Sequence, residues 1–288
     1  MSGYGPYNEE ELNAQYCLLA QDPAYEQTVI PNWVARSNEY RDAVGGKYDL
    51  AYGRGERDRA DFFPATTSNG ALLVFIHGGY WQRGDKSAYG FVAKPYNEAG
   101  YSVVLINYNL CPSVKMAEIA PQVRRAVIWV WQHAEDLGGS KDSLYLMGHS
   151  AGAHLSAWML ATDWPGCDPT LSKDLIKAGV LISGLYDLEP VRHCVENAGL
   201  MLENEAEARA VSLIDHPPAT DAPQLIAWGL DETDEFRRQN DEHYERLSAH
   251  NSRIERFAVV NREHTQMVEE TADGKSELVS RILTLLGH

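Results

Sequence analysis

Short, uniformly apolar segments separated by long stretches constrain this chain of 288 residues more than any other feature. The segments are Ala71–Ile76, Ser102–Ile106, Ser143–Met147, Ala178–Ile182, Gln224–Trp228 and Ile254–Val260. Most of them do not alternate polar with apolar residues, which is typical of strands that are buried on both faces. The intervening stretches are long enough for the crossover helices that join parallel strands. We therefore predict a mostly parallel central sheet.

Helical periodicity fills the stretches between these strands. Apolar residues recur at intervals of three and four over residues 117–135, 151–161, 235–249 and 275–286. The chain is therefore predicted to be a single α/β domain over residues 1–288, with a sheet flanked by helices. Residues 1–45, with an amphipathic piece from Glu9 to Leu19 and with Trp33, are predicted to form an N-terminal arm. Residues 184–220, which are acidic and contain Pro217–Pro218, are predicted to form a small, lid-like cap segment.

The charge balance excludes several classes of partner. Lys and Arg number 25 against 41 Asp and Glu, and the net charge is −16. This sign opposes binding to nucleic acid or to anionic membrane surfaces, and the apolar segments are far too short to span a bilayer. We expect a small-molecule partner.

The spacing of the cysteines indicates the cellular compartment. Cys17, Cys111, Cys167 and Cys194 are scattered without a C-x-x-C pair, unlike a secreted disulfide scaffold. The first 27 residues are acidic and polar, so we expect neither a secretory signal nor a location outside the cytoplasm. The sequence has no H-E-x-x-H motif or Cys/His cluster, and we predict neither a metal site nor a cofactor.

A candidate nucleophile follows the predicted strand Ser143–Met147. Residues 148–152 read G-H-S-A-G, which matches the G-x-S-x-G nucleophile elbow, and a predicted helix follows. The elbow is a sharp turn that exposes a serine Oγ, and its two glycines avoid collisions with neighbouring backbone. Ser150 is therefore the predicted nucleophile of an acyl-transfer reaction.

A second motif lies at the end of the strand Ala71–Ile76, where residues 77–81 read H-G-G-Y-W. Hydrolases with a nucleophile elbow carry an oxyanion-binding loop at this place. Backbone N–H groups that face the developing oxyanion lower the barrier by about 3–4 kcal/mol each. We predict that the N–H groups of Gly79, Tyr80 and Ala151 form this oxyanion hole.

The acid and base of a catalytic triad are expected after later strands, in the chain order Ser, Asp or Glu, His. His264 follows the strand Ile254–Val260 and is the predicted base. Two adjacent carboxylates, Asp231 and Glu232, follow the strand Gln224–Trp228. Glu232 is preferred because it lies three residues past Gly229, and Asp231 is the alternative acid. Asp187 is a third candidate, with a supporting role in its loop as the more plausible interpretation.

Taken together, these residues resemble the kynurenine formamidases (arylformamidases), α/β-hydrolases that carry an H-G-G-x-W motif. Residues 77–81 match that motif at every fixed position, and the resemblance extends from about residue 45 to the end of the chain. It includes the segments 107–112, 148–155, 183–188, 235–239 and 269–271 together with His264.

The resemblance implies roles for particular residues. The second glycine of the family's motif and the next residue supply oxyanion N–H groups, which correspond to Gly79 and Tyr80. The family's acid is usually Asp, four residues before a Phe; with Phe236 as that Phe, the position holds Glu232. Where many members have an aromatic residue after the histidine, this chain has Thr265. A homodimer would be in keeping with the resemblance, although no apolar stripe in the sequence requires one.

Three functions remain as hypotheses. The first is hydrolysis of N-formyl-L-kynurenine to kynurenine and formate, with Trp81 and Tyr80 lining a pocket for the aryl group. The second is a carboxylesterase or amidase that acts on another small acyl compound with the same catalytic residues. The third, a non-catalytic ligand receptor, is disfavoured because such receptors typically lack a triad member and Ser150, Glu232 and His264 are all present.

Overall fold

The computed structural model describes residues 3–18 and 24–288. Within these ranges the strands form one sheet of eight. They are β1 (Lys47–Ala51), β2 (Arg59–Phe63), β3 (Leu72–Ile76), β4 (Ser102–Ile106), β5 (Leu144–His149), β6 (Gly179–Ile182), β7 (Gln224–Gly229) and β8 (Ile254–Val259). Their order across the sheet is β1-β2-β4-β3-β5-β6-β7-β8.

The sheet is parallel from β4 through β8, whereas β1 and β2 run antiparallel at one edge. The mostly parallel sheet predicted from the sequence is confirmed, and its six predicted strands lie within one or two residues of the observed bounds. The sequence analysis missed β1 and β2. β2 contains Asp61, a buried carboxylate 2.8 Å from the Lys86 Nζ, and such a charge conceals a strand from a search for apolar runs.

Helices cover both faces of the sheet. The longer ones are α1 (Glu9–Tyr16), α2 (Ile30–Val44), α4 (Met116–Gln132), α5 (Ala151–Leu160), α10 (Asp234–Ser248), α11 (Gln266–Ala272) and α12 (Glu277–Leu286). The shorter ones are α3 (Lys94–Glu98), α6 (Trp164–Cys167), α7 (Glu189–Arg192), α8 (Asn197–Leu200) and α9 (Glu205–Ala210). The four predicted helices correspond to α4, α5, α10 and α12. Across the described ranges, every helix is too short or too polar to cross a lipid bilayer.

The N-terminal residues contact helices on both faces of the sheet. Tyr16, at the end of α1, is buried and donates a hydrogen bond of 2.6 Å to Glu235 Oε2 on α10. The indole N–H of Trp33 on α2 donates a hydrogen bond to Glu269 on α11, on the opposite face of the sheet. The amphipathic piece predicted over Glu9 to Leu19 is α1, although Leu19 lies outside the described residues. Leu18 ends the first described range next to the candidate site.

Residues 184–220 hold the short helices α7, α8 and α9, which cover the carboxyl end of the central strands. Val211 O lies 2.7 Å from His154 Nε2 on α5, and Glu196 contacts Gln82 and Arg83 in the loop after β3. The predicted cap segment therefore contacts both α5, which follows Ser150, and the loop after β3. That the cap segment acts as a lid stays a prediction.

Candidate active site

Ser150 lies in a sharp turn between β5 and α5. Its backbone has φ 57° and ψ −120°, a strained conformation for a residue with a side chain, and its N–H donates to Ile182 O on β6. Strain of this kind costs about 1–3 kcal/mol and persists only where the surrounding structure enforces it. The turn lies at the carboxyl end of the central strands, where the loops of a parallel sheet converge.

Glycines allow the elbow to pack directly against the loop after β3. A Cβ on Gly152 would lie 1.9 Å from Ile76 O, and one on Gly148 would lie 2.1 Å from Gly152 O. A Cβ on Gly78 would lie 3.1 Å from Ser150 Cβ. Any side chain at Gly148 or Gly152 would therefore separate the elbow from its neighbours.

The structure brings Glu232 and His264 together. His264 Nδ1 lies 2.8 Å from Glu232 Oε2, and the Glu232 side chain is fully buried. Glu232 Oε1 accepts two further hydrogen bonds, from Ser183 Oγ at 2.6 Å and from the Gly229 N–H at 2.7 Å. Three donors therefore satisfy a buried carboxylate, as a stable charged group requires.

The two other carboxylates considered as the acid lie elsewhere. Asp231 is exposed, and its N–H donates to Arg262 O. Asp187 caps its own loop by accepting from the Glu189 N–H, and burial raises the pKa of this carboxyl. Neither has a hydrogen bond to His264 in the described part of the chain.

His149 supports the loop that carries His264, a role that the sequence did not reveal. Its Nε2 lies 2.9 Å from His264 O, and the two rings are 4.7 Å apart. Burial, together with the nearby His264, lowers the pKa of His149 well below its usual value. The ring is therefore neutral, and Nε2 is the nitrogen that donates to the carbonyl. Ser183 is the other supporting residue that sequence reasoning missed.

The loop after β3 has an unusual backbone. Gly79, Tyr80 and Trp81 all have positive φ, with values of 119°, 56° and 56°. His77 Nδ1 lies 2.7 Å from Gly78 O, and the His77 ring stacks on Tyr108. No acceptor among the described residues takes the N–H groups of Gly79, Tyr80 or Ala151.

The structure corrects the prediction that Trp81 lines an aryl pocket. Trp81 is only 1% exposed, and its indole N–H donates to His154 Nδ1 at 3.2 Å. Its positive φ turns the side chain into the core between α5 and the cap segment. His154 Nε2 in turn donates to Val211 O, and burial lowers the pKa of His154 to about 4. Trp81 is thus a structural residue that anchors the loop.

A cavity of about 50 Å³ lies over Ser150 and His264. Its apolar and aromatic lining consists of Leu18, Tyr25, Tyr80 and Tyr89. Gly79, His149, Arg83 and Thr265 complete the wall. Tyr80, the other predicted aryl-binding residue, therefore lies at the cavity, and its buried hydroxyl has no hydrogen-bond partner within residues 3–18 and 24–288.

Comparison with known proteins identifies the family. Residues 62–229 match the model of the BD-FAE family, α/β-hydrolase-like esterases. The kynurenine formamidase of Salmo salar is 34% identical over 100% of this chain and 99% of its own length, and that of Danio rerio is 30% identical over 100% and 99%.

Solved structures share the fold of this chain. A candidate thioesterase from Silicibacter sp. TM1040 superposes with a TM-score of 0.81 at 29% identity, covering 94% of this chain and 98% of its own. An esterase from Pyrobaculum calidifontis, at 20% identity, covers 94% of this chain and 96% of its own with a TM-score of 0.70, and so shares the fold. The chain is a hydrolase with the α/β-hydrolase fold and belongs to the kynurenine formamidase family.

Proposed function

We propose that this protein hydrolyses N-formyl-L-kynurenine to kynurenine and formate, with Ser150 as nucleophile, His264 as base and Glu232 as acid. The observation that carries the proposal is the contact of 2.8 Å between His264 Nδ1 and Glu232 Oε2 beside the strained elbow at Ser150. Full-length similarity to two vertebrate kynurenine formamidases supports the choice of substrate.

The proposed reaction begins with proton transfer. Glu232 fixes the tautomer in which Nδ1 of His264 carries the proton, so that Nε2 is free to accept the proton of Ser150. The Ser150 Oγ then attacks the formyl carbon, and the carbonyl π electrons move to the oxygen. When the tetrahedral intermediate collapses, His264 protonates the leaving arylamine. Water, deprotonated by His264, releases formate from Ser150 by the reverse steps.

The oxyanion is proposed to bind the N–H groups of Gly79, Tyr80 and Ala151. These groups have no acceptor within the described residues, and Ala151 is the first residue of α5, whose N-terminus carries a partial positive charge. Donors fixed in advance lower the barrier because they need no reorganisation as the negative charge develops.

The test is a comparison of kcat/KM for N-formyl-L-kynurenine and for 4-nitrophenyl acetate, with the Ser150→Ala protein as the blank. We expect wild-type protein to prefer the formamide and the variant to lose both activities while keeping its circular dichroism spectrum. Cleavage of the ester alone would replace the proposed function with a carboxylesterase or amidase that uses the same residues. Activity retained by a pure Ser150→Ala protein would overturn the assignment of the nucleophile.

The proposal includes the expectations on cofactor, partner and location made from the sequence. The chemistry needs no cofactor, and the partner is a small molecule. The four cysteines are free thiols in the structure, which supports a reducing compartment such as the cytoplasm. A homodimer stays an expectation.

A further inference from the structure

Among the described residues that line the cavity over Ser150, Arg83 is the one with a permanent charge. Its other walls are mostly aromatic or aliphatic, and His149 is neutral because burial lowers its pKa. An arginine in this wall, whose other described residues carry no permanent charge, gives the site a preference for negative charge. This preference opposes the net charge of the molecule, which is −16.

Arg83 is held along one edge only. Its Nη2 lies 3.3 Å from Glu196 Oε2, and Gln82 Nε2 donates to the same carboxylate oxygen at 3.2 Å. The Arg83 side chain is 32% exposed. The remaining guanidinium N–H groups have no acceptor among the residues that the structure describes. Because a guanidinium carries five donors in a planar fork, the free edge can bind a carboxylate without breaking the contact with Glu196.

Arg83 follows the proposed oxyanion loop in the chain and lines the same cavity as Ser150 and His264. Its N–H donates to Gly79 O at 2.9 Å, so the turn that carries Arg83 is the turn of the proposed oxyanion loop. A substrate whose acyl carbon contacts Ser150 would have Arg83 in the wall of the same cavity. The substrate class implied is an aryl formamide or ester with a carboxylate on the leaving group.

Building on the proposed function, we propose that Arg83 determines specificity by binding the amino-acid carboxylate of the arylamine that leaves Ser150. Glu196 and Gln82 position the guanidinium. The contact forms with the substrate and persists through the reaction, so it contributes to KM more than to kcat.

The first test uses N-formyl-L-kynurenine and its methyl ester, which differ only in the charge of the carboxyl group, and follows the free arylamine. In Arg83→Gln we expect kcat/KM for the acid to fall about 10- to 100-fold, mainly through KM, as for loss of a charge-assisted hydrogen bond. The methyl ester should lose much less, so that the ratio of kcat/KM for the acid to that for the ester falls. Arg83→Lys keeps the charge and should restore part of the preference for the acid.

An equal loss for both substrates would overturn the inference, because it would mean that the substitution had only distorted the loop. No loss for either substrate would also overturn it.

A second substrate pair separates this inference from the proposed function. It consists of 4-acetoxyphenylacetate and its methyl ester, aryl acetates that need no formamidase activity. If N-formyl-L-kynurenine is not hydrolysed but Arg83→Gln abolishes the preference for the anionic acetate, the proposed function fails and the role of Arg83 stands. If N-formyl-L-kynurenine is hydrolysed and Arg83→Gln leaves the charge preference unchanged in both pairs, the role of Arg83 fails alone.

Discussion

Glu232 occupies the position at which the resemblance to kynurenine formamidases implies a shorter acid, Asp. Its side chain reaches His264 through Oε2, while Oε1 accepts hydrogen bonds from Gly229 at the end of β7 and from Ser183 after β6. The neighbouring Asp231 is exposed, whereas Glu232, whose N–H closes a turn onto Gly229 O, is buried. The sequence left these two carboxylates as alternatives, and the turn geometry separates them.

Exchange of the two carboxylates for their amides tests the role of Glu232. In Glu232→Gln we expect kcat to fall about 10³- to 10⁴-fold, because a neutral amide neither fixes the His264 tautomer nor stabilises its cation. Asp231→Asn is the matched control and should turn over as wild type does. The rate of hydrolysis of an aryl acetate is measured for both variants. A larger loss in Asp231→Asn than in Glu232→Gln would show that Asp231, and not Glu232, is the acid.

At the scale of elements, His154 joins three parts of the molecule. It lies on α5, accepts the indole N–H of Trp81 from the loop after β3, and donates to Val211 in the cap segment. The spacing within a motif could not reveal this link, because the three segments are distant in the sequence. The aromatic character of Trp81 suggested a substrate-binding role, whereas its indole N–H serves to hold the loop.

Trp81→Phe tests this link. The variant leaves the buried His154 Nδ1 without its donor, and we expect a loss of about 1–3 kcal/mol in the free energy of unfolding. The matched control is Trp131→Phe on α4, a partly buried tryptophan whose indole N–H has no acceptor among the described residues. Urea unfolding measures both variants. Equal losses would mean that ring volume, and not the hydrogen bond to His154, is what the loop needs.

At the scale of the whole molecule, the sequence predicted what depends on local pattern. Buried parallel strands, the elbow at Ser150 and the loop at Gly79 all follow from residues close together in the chain. The antiparallel strands β1 and β2 did not, because their stability comes from tertiary pairs such as Asp61 with Lys86. The position of Arg83 at the cavity also depends on packing between distant segments. The periodicity of apolar residues in the sequence does not predict such packing.

Burial of neutral histidines predicts how stability depends on pH. Burial lowers the pKa of His77 and His154 to about 4, and that of His149 and His243 well below the usual value. Unfolded histidine titrates near pH ~6.5, so between these values the unfolded state binds more protons. Stability is therefore full above pH ~6.5 and declines as the pH falls, by up to about 1.4 kcal/mol per pH unit for each histidine.

Urea unfolding at several pH values between about 7 and about 5 measures this dependence. His243→Gln should remove the share of one buried histidine from the slope, whereas the exposed His250 is the control position, and His250→Gln should leave the slope unchanged. A free energy of unfolding that stays constant over this range would contradict the account.

The most direct test of the central claim, that Ser150 is the nucleophile of a covalent mechanism, is mass spectrometry after reaction with an organophosphate that leaves a stable phosphoserine ester. We predict one adduct per chain, located on the peptide that contains Ser150, formed at a much lower rate in Glu232→Gln and absent in Ser150→Ala. An adduct on another residue, or an active protein that no organophosphate modifies, would contradict the assignment.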